Sequence, residues 1–364
     1  MLVVRRNSLL YFTLFLILIA LSCGLIFIYS SSSVYALEKC GTPLFFVKKQ
    51  LFGHFLGLIG MAIGVFLPLP VIKRLTPLFF YGTLFLTGLT GFVGLSLNGS
   101  RRWLSLAGII FQPSELLKIG FILYAAFFLS KKESRIGSLW HTTLAYALII
   151  ILTCLVLLKQ PDFGQAVVLA STGMLMLLSA GGSLRHLAAG FFSLVPVLAA
   201  LVAYKPYRLR RIAAFLHPWD DPQGAGFQII QSLIAIGSGS LTGLGIGNSK
   251  QKFFYLPMQH TDFIFSIIAE ETGFVGCFLC VILFLSIFYC GLRLALGLSD
   301  RFSQLLVLGF FLLITLQGSI NMAVAVGLLP TKGIGLPFFS YGISSLFSTL
   351  SLLGVVINAS RYRL

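Results

Sequence analysis

Four short stretches set polar and ionisable residues inside or against long apolar runs, where a charge is costly and marks a site, a pathway or a fixed ion pair. The first is Asn98-Gly99-Ser100-Arg101-Arg102-Trp103. The second, Gln112-Pro113-Ser114-Glu115-Leu116-Leu117-Lys118, opens an apolar run. Pro113 suits a first helical position, and Glu115 complements the positive end of a helix. Glu115 and Lys118 are three apart on one face and can pair. That pair either locks two helices together or stands at a phosphate site, with Lys118 serving both. The third stretch, Gln160-Pro161-Asp162-Phe163-Gly164, repeats the Pro-then-acid opening. It reads equally well as a plain helix start and as a place where Asp162 meets substrate. The fourth is Leu256-Pro257-Met258-Gln259-His260-Thr261-Asp262-Phe263-Ile264-Phe265, followed by Glu270-Glu271. Asp262 falls in the first turn of an apolar run, where capping a helix is a sufficient job for Thr261 or Asp262. Spacing alone does not choose between a cap and a site. His260 either binds substrate or braces the loop. The glycine-rich run from Gly237 to Gly247 lacks the GxxxxGK[ST] pattern and its strand–turn–helix setting, so no nucleotide is expected. A backbone turn leading toward Asp262, with N–H groups able to cradle an anion, fits it better.

These residues are set in a chain of 364 residues that is 57% hydrophobic, 14% aromatic and only 10% charged. A soluble protein carries about a quarter charged residues. The deficit excludes a soluble enzyme, a disordered chain and a disulfide scaffold. The formal charge of +16 would suggest nucleic acid in a soluble protein. In a membrane it points to anionic headgroups or phosphorylated lipids, and no nucleic-acid partner is expected. Apolar runs of spanning length centre on 9–29, 51–69, 75–95, 114–130, 142–158, 164–182, 186–204, 263–292, 305–328 and 338–358. The chain therefore reads as an all-α integral membrane protein, a single polytopic domain over 1–364 with about ten transmembrane helices. A long extracytoplasmic loop at 205–261 separates helices 7 and 8, and 227–236 within it reads as a short helix at the membrane surface. With the N-terminus inside, Lys73, Arg74, Lys131, Lys132, Arg135, Arg293 and Arg301 fall on the inner side. Thirteen Lys and Arg fall outside against twelve inside, Arg102, Lys159, Arg208, Arg210, Arg211 and Lys332 among the outer ones, an excess of outer cations that is itself a functional clue. Cys277 and Cys280 have CxxC spacing but sit mid-span without further Cys or His, so they read as packing residues, as do Cys23, Cys154 and Cys290.

Six blocks in order resemble the signatures of the SEDS family of shape, elongation, division and sporulation proteins: 98–103, 112–118, 160–165, 226–239, 260–265 and 329–345. The resemblance runs over most of the chain. Gly247-Asn248-Ser249-Lys250-Gln251-Lys252, Tyr255-Leu256-Pro257 and Lys332 are similar to the division-type branch. It implies a ten-helix peptidoglycan glycosyltransferase of the bacterial cytoplasmic (inner) membrane at the division septum. Such a protein polymerises lipid II, the undecaprenyl diphosphate-linked disaccharide, on the outer face. It works with a class B penicillin-binding protein transpeptidase and other divisome membrane proteins. The acid proposed as catalytic in the family lands on Asp262, the important arginine on Arg102, and the Glu and Lys of the second block on Glu115 and Lys118. Two positions depart from the family pattern: Met258 where Glu is usual, and Ile343 where a second Gly is usual.

The chemistry agrees with this placement. A sugar hydroxyl attacking an anomeric carbon benefits from a positioned carboxylate, and the departing lipid diphosphate from cations aimed at it. The diphosphate supplies the driving force, so no nucleotide cofactor is needed. The expected reading is inverting transfer with Asp262 as general base and Arg102, Glu115, Lys118, Asp162, Arg208, Arg210, His260 and Lys332 around the substrate. A divalent cation, Mg or Mn, could share the diphosphate, with Asp162 or Glu115 among its ligands. Two other readings stay open: a lipid II flippase with Glu115, Lys118, Glu270 and Glu271 lining a path, and a non-catalytic divisome scaffold.

Overall fold

The computed structural model describes residues 2–97, 100–106, 109–186, 188, 213–224, 226–253, 256–331 and 333–361. Apolar runs become long helices: α1 (Leu2–Cys40), α2 (Phe45–Phe66), α3 (Leu69–Val93, with Pro77 inside it), α4 (Pro113–Lys131), α5 (Leu144–Lys159) and α6 (Phe163–Ser179). Further along the chain come α7 (Phe227–Ser238), α8 (Ile264–Leu296), α9 (Arg301–Ala325) and α10 (Ile343–Arg361). Eight helices among the described residues are long and apolar enough to cross a membrane, and α6, at 17 residues, is apolar but shorter. They correspond in order to the expected spans, apart from 186–204, which falls almost wholly outside the described residues. The protein is a multi-pass membrane protein.

α4 and α9 form the centre of the bundle. α1, α2, α3, α5 and α8 turn apolar side chains such as Phe12, Phe55, Phe85, Leu148 and Phe278 outward, as lipid-facing helices do. α2 lies on α10 along a seam of small residues, with Gly53, Gly57, Gly60 and Gly64 all buried. A Cβ at Gly57 would run into Leu350, and one at Gly64 into the backbone of Gly354 and Val355. Asn358 closes one end of this seam by donating to the carbonyls of Gly64 at 3.0 Å and Leu67 at 2.6 Å. Close backbone approach of this kind is how helices associate where no hydrophobic drive exists between them.

The two ends of the bundle sort the charges. At one end Lys73 bonds Asp300 at 2.9 Å, and Arg301 reaches Glu133 at 3.5 Å and the Ala180 carbonyl at 2.7 Å. The residues assigned to the inner side thus meet one another. At the other end, β1 (Leu95–Leu97), β2 (Ser100–Leu106) and β3 (Ile109–Phe111) form a three-stranded antiparallel sheet. The spans alone did not disclose this sheet. Its alternation, Leu-Ser-Leu at 95–97 and again at 104–106, is a strand period.

α8 is not one continuous span. Gly273 has φ 66° and ψ −162°, which breaks the helix between Thr272 and Phe274. The groups freed there pair with the glycine-rich run. Leu244 and Gly245 donate to the carbonyls of Glu270 and Glu271, both at 3.0 Å. Phe274 and Val275 donate to Ser240 and Leu241 at 2.9 and 3.2 Å. Gly243 (φ 80°) lies so close to the Glu271 backbone that a Cβ would overlap it. The expected surface helix, α7, instead docks on α8 and α9. There the Ser232 hydroxyl bonds Ser266 Oγ and the Ala325 carbonyl, each at 2.6 Å.

Candidate active site

At the sheet end of the bundle, a cavity of about 860 Å³ is lined by Arg102, Glu115, Lys118, Asp162, His260 and Asp262, among others. Six of the nine candidate residues therefore share one space. Arg208, Arg210 and Lys332 lie outside the described residues. The cavity is also where α4, α6, α8 and α10 begin, since Gln112, Phe163, Phe263 and Ile343 all line it. Four positive helix ends converge on it, a setting that favours an anion.

Each side chain is held by an identifiable local structure. β2 carries Arg102, whose Nε donates to the Gln160 carbonyl at 2.9 Å and whose Nη2 donates to the Pro161 carbonyl at 2.7 Å. Its Nη1 lies 3.9 Å from Asp162. Asp162 caps α6 by accepting the Gln165 N–H at 3.3 Å, while its other oxygen accepts from Gln112 Nε2 at 3.3 Å. Burial pushes the Asp162 carboxyl above its ordinary value, and Arg102 opposes the shift. Glu115 and Lys118 pair at 2.5 Å at the buried start of α4. Glu115 also accepts from Gln165 at 2.7 Å and from Ser348 of α10 at 2.9 Å. That pair ties three helices together beneath the cavity, as the helix-locking reading expects, and it also borders the cavity.

Asp262 ends a tight turn. The Met258 carbonyl accepts from the N–H groups of Thr261, Asp262 and Phe263 at 3.1, 3.1 and 3.3 Å. This turn requires Met258 at φ 55°, a left-handed conformation that an L side chain adopts at some cost. The Asp262 carboxylate does not cap α8. It faces the cavity half-buried, and no side chain among the described residues bonds it. Burial pushes its carboxyl up to about 6, with Arg102 pulling it down and Asp162 pushing it up. Gly333 stands beside it, where a Cβ would come within 3.4 Å of Asp262 Oδ2.

His260 stacks among Phe46, Tyr35 and Tyr341, with ring centroids 4.5, 5.9 and 5.9 Å away. Burial holds its pKa down to about 4, so the ring is neutral at ordinary pH, and Nδ1 has no partner among the described residues. The His260 carbonyl accepts from Tyr341 at 2.9 Å, which fits a brace for the loop.

Several supporting residues escaped the sequence reading. Asn321 donates to the carbonyls of Asp262 at 2.7 Å and Ile334 at 2.6 Å. Gln317, four residues earlier on the same face of α9, bridges Lys118 at 3.5 Å and the Gly335 carbonyl at 2.9 Å. Two amides four apart inside the apolar run 305–328 were the available signal. Ser340 accepts from the Leu336 N–H at 2.7 Å and donates to the Thr261 carbonyl at 2.5 Å.

Glu270 and Glu271 do not reach this cavity. Both are buried behind it, where Glu270 accepts from the N–H of Lys250 at 2.8 Å and from Ser249, and Glu271 accepts from Ser30 at 2.5 Å. Lys252 stands 3.9 Å from Glu271. The two acids fasten the segment that leads to Met258 and Asp262. Ile343, the second departure from the family pattern, has an ordinary helical start and packs on Gly53, so no glycine is required there.

Fold and site together define a polytopic membrane protein with a carboxylate and matched cations in a cavity at one end of its bundle. The chain matches the FtsW/RodA/SpoVE cell cycle protein family over residues 9–364 and belongs to it. It is 41% identical over 345 residues, 94% of both chains, to the probable peptidoglycan glycosyltransferase FtsW of Geobacter sp. strain M18. It is 40% identical to the stage V sporulation protein E of Bacillus subtilis strain 168, covering 95% of each. Among solved structures it is similar to a chain of a peptidoglycan synthase complex that coordinates polymerization and crosslinking. That likeness has a TM-score of 0.80 and 33% identity, and covers 96% of this chain and 97% of that one. The rod shape determining protein RodA of Thermus thermophilus is similar at a TM-score of 0.72 and 29% identity, covering 96% of both chains.

Proposed function

We propose that this cavity polymerises lipid II on the outer face of the cytoplasmic membrane, with Asp262 as general base. The chain is a peptidoglycan glycosyltransferase, as its family membership and full-length similarity to named transferases indicate. In the proposed step the acceptor hydroxyl gives its proton to Asp262, and its oxygen bonds the anomeric carbon with inversion. The bond from that carbon to the diphosphate breaks, and the lipid diphosphate leaves with the electron pair. The carrying observation is that Asp262 is a half-buried carboxylate, unbonded among the described residues, in the same cavity as Arg102 and Lys118, with a pKa of about 6. A base performs best when its pKa lies close to working pH.

Arg102, held by two carbonyls, and the four helix ends supply positive potential toward the diphosphate, while Asp162 and Glu115 hold those cations in place. Arg208, Arg210 and Lys332 belong to this proposal on the family signatures. His260 braces the loop and presents a neutral ring to the sugar. The donor set does not fit a metal held by protein alone. Among the described residues no three His, Cys, Asp or Glu side chains group together, and the oxygens of Glu115 and Asp162 already have partners. No step is assigned to a divalent cation.

The protein acts, in this reading, at the division septum with a class B penicillin-binding protein and other divisome membrane proteins. The similar chain in a peptidoglycan synthase complex supports such a partnership. The test is to supply the purified chain and its partner with lipid II in liposomes, following both glycan length and the movement of fluorescent lipid II between leaflets. Glycan without net translocation is expected. Translocation without glycan would replace the transferase by a flippase.

A further inference from the structure

The described residues lining the cavity include three acids, Glu115, Asp162 and Asp262, and three cations, Lys49, Arg102 and Lys118. Lys118 is matched by Glu115 at 2.5 Å and Arg102 by Asp162 at 3.9 Å. Asp262 and Lys49 are left over, and no carboxylate among the described residues lies within ion-pairing reach of Lys49. Nothing in the sequence motifs singles out Lys49, which stands in the second turn of α2. Its ammonium lies 4.4 Å over the Phe45 ring, a contact that orients the group without neutralising it. Its backbone is fixed relative to the site. The neighbouring Gln50, 1% exposed, accepts from the Gly342 N–H at 3.1 Å, and one turn on Gly53 packs against Ile343. Gly342 and Ile343 themselves line the cavity.

We propose that Lys49 is a substrate-binding residue that receives a phosphate of the lipid-linked diphosphate at the cavity rim. The inference rests on the transferase reading and names the group that supplies uncompensated charge. Arg102 and Lys118 arrive with their own counter-ions, so among the described residues the net attraction for an incoming dianion falls on Lys49 and the helix ends. A charge that meets the diphosphate equally before and during the reaction lowers KM and leaves kcat unchanged. The same chemistry, an ammonium over a phosphate, would also suit an ordinary anionic phospholipid. Lys48 provides the control, since it is adjacent and exposed but does not line the cavity.

The experiment uses the full chain with its partner in liposomes and compares Lys49→Gln, Lys49→Arg and Lys48→Gln. Lys49→Gln is expected to raise KM for lipid II about three- to tenfold with kcat within about twofold, the range for losing one ordinary hydrogen bond at a solvent-exposed position. Lys49→Arg should stay near the parent, and Lys48→Gln should change nothing. In parallel, binding of undecaprenyl diphosphate to the purified chain should weaken by the same factor in Lys49→Gln, while binding of undecaprenol should not. Equal effects of Lys48→Gln and Lys49→Gln would reduce the residue to membrane-surface charge and overturn the proposal. So would an unchanged KM, or a Lys49→Arg variant as impaired as Lys49→Gln. If the parent protein forms no glycan, the transferase reading fails, and the two binding measurements still decide the role of Lys49.

Discussion

The protonation of Asp262 makes a quantitative demand on the pH profile. Burial lifts its carboxyl to about 6, Arg102 restrains the rise and Asp162 adds to it. A base with that pKa is about nine-tenths ionised at pH 7 and about one-tenth at pH 5, so kcat/KM should fall roughly tenfold between them. His260, neutral down to about 4, contributes nothing in that window. The perturbation is Asp162→Asn. An asparagine oxygen can still accept the Gln165 N–H and cap α6, yet the charge that raises Asp262 is gone. The acid limb should therefore move to lower pH, and the variant should outperform the parent, relative to its own plateau, near pH 5. Initial rates of glycan formation from subsaturating lipid II across pH give the limb directly. Far-ultraviolet circular dichroism at each pH guards against unfolding. A parent rate that stays flat from about pH 7 to about pH 5, or a limb that Asp162→Asn leaves in place or moves upward, would refute the assignment of the base.

Other consequences follow from the same coordinates. A folded-state carboxyl pKa raised from 3.8 to about 6 contributes stability below the unfolded pKa and loses it as pH rises through about 6. Asp262→Asn should thus melt higher than the parent at about pH 8 and match it near pH 4 in detergent thermal scans. Gly57→Leu should cost about 1–3 kcal/mol by overpacking the α2–α10 seam, whereas Gly82→Leu, with open space at its Cβ, should be neutral by the same melt. Lys118→Met leaves Glu115 buried without its cation and should destabilise by about 3–5 kcal/mol, with Glu115→Gln in the same chain restoring much of it. Glu271→Ala should speed hydrogen exchange at Ser249 and neighbouring amides and lower kcat, because the segment leading to Asp262 is released.

The spans were legible because lipid as solvent leaves a coarse and redundant signal, a run of apolar residues repeated along the chain. What the sequence concealed lies where polar groups are satisfied internally. The serines at 30–33 ended the first apolar run on paper. In the fold, Ser32 bonds the Ile28 carbonyl at 2.6 Å and Ser30 bonds Glu271, so α1 runs on to Cys40. The break at Gly273 was invisible because its partners, Ser240 to Gly245, lie some thirty residues away across a loop. Glu270 and Glu271 suggested a path through the membrane and proved to be fasteners for that loop. Asp262 was correctly set at the start of a helix. Its freedom from capping depends on the Met258 carbonyl taking over the turn, which no spacing rule anticipates. Lys49 was passed over for a related reason, since a lone lysine at a helix end gains meaning only once its neighbours' charges are known to be spent.

The most direct measurement compares glycan formed from lipid II by the parent chain and by Asp262→Asn, each with the proposed transpeptidase partner and each shown to bind undecaprenyl diphosphate. The account predicts intact binding with polymerisation reduced by about a hundredfold or more. Polymer at the parental rate from the variant would contradict it.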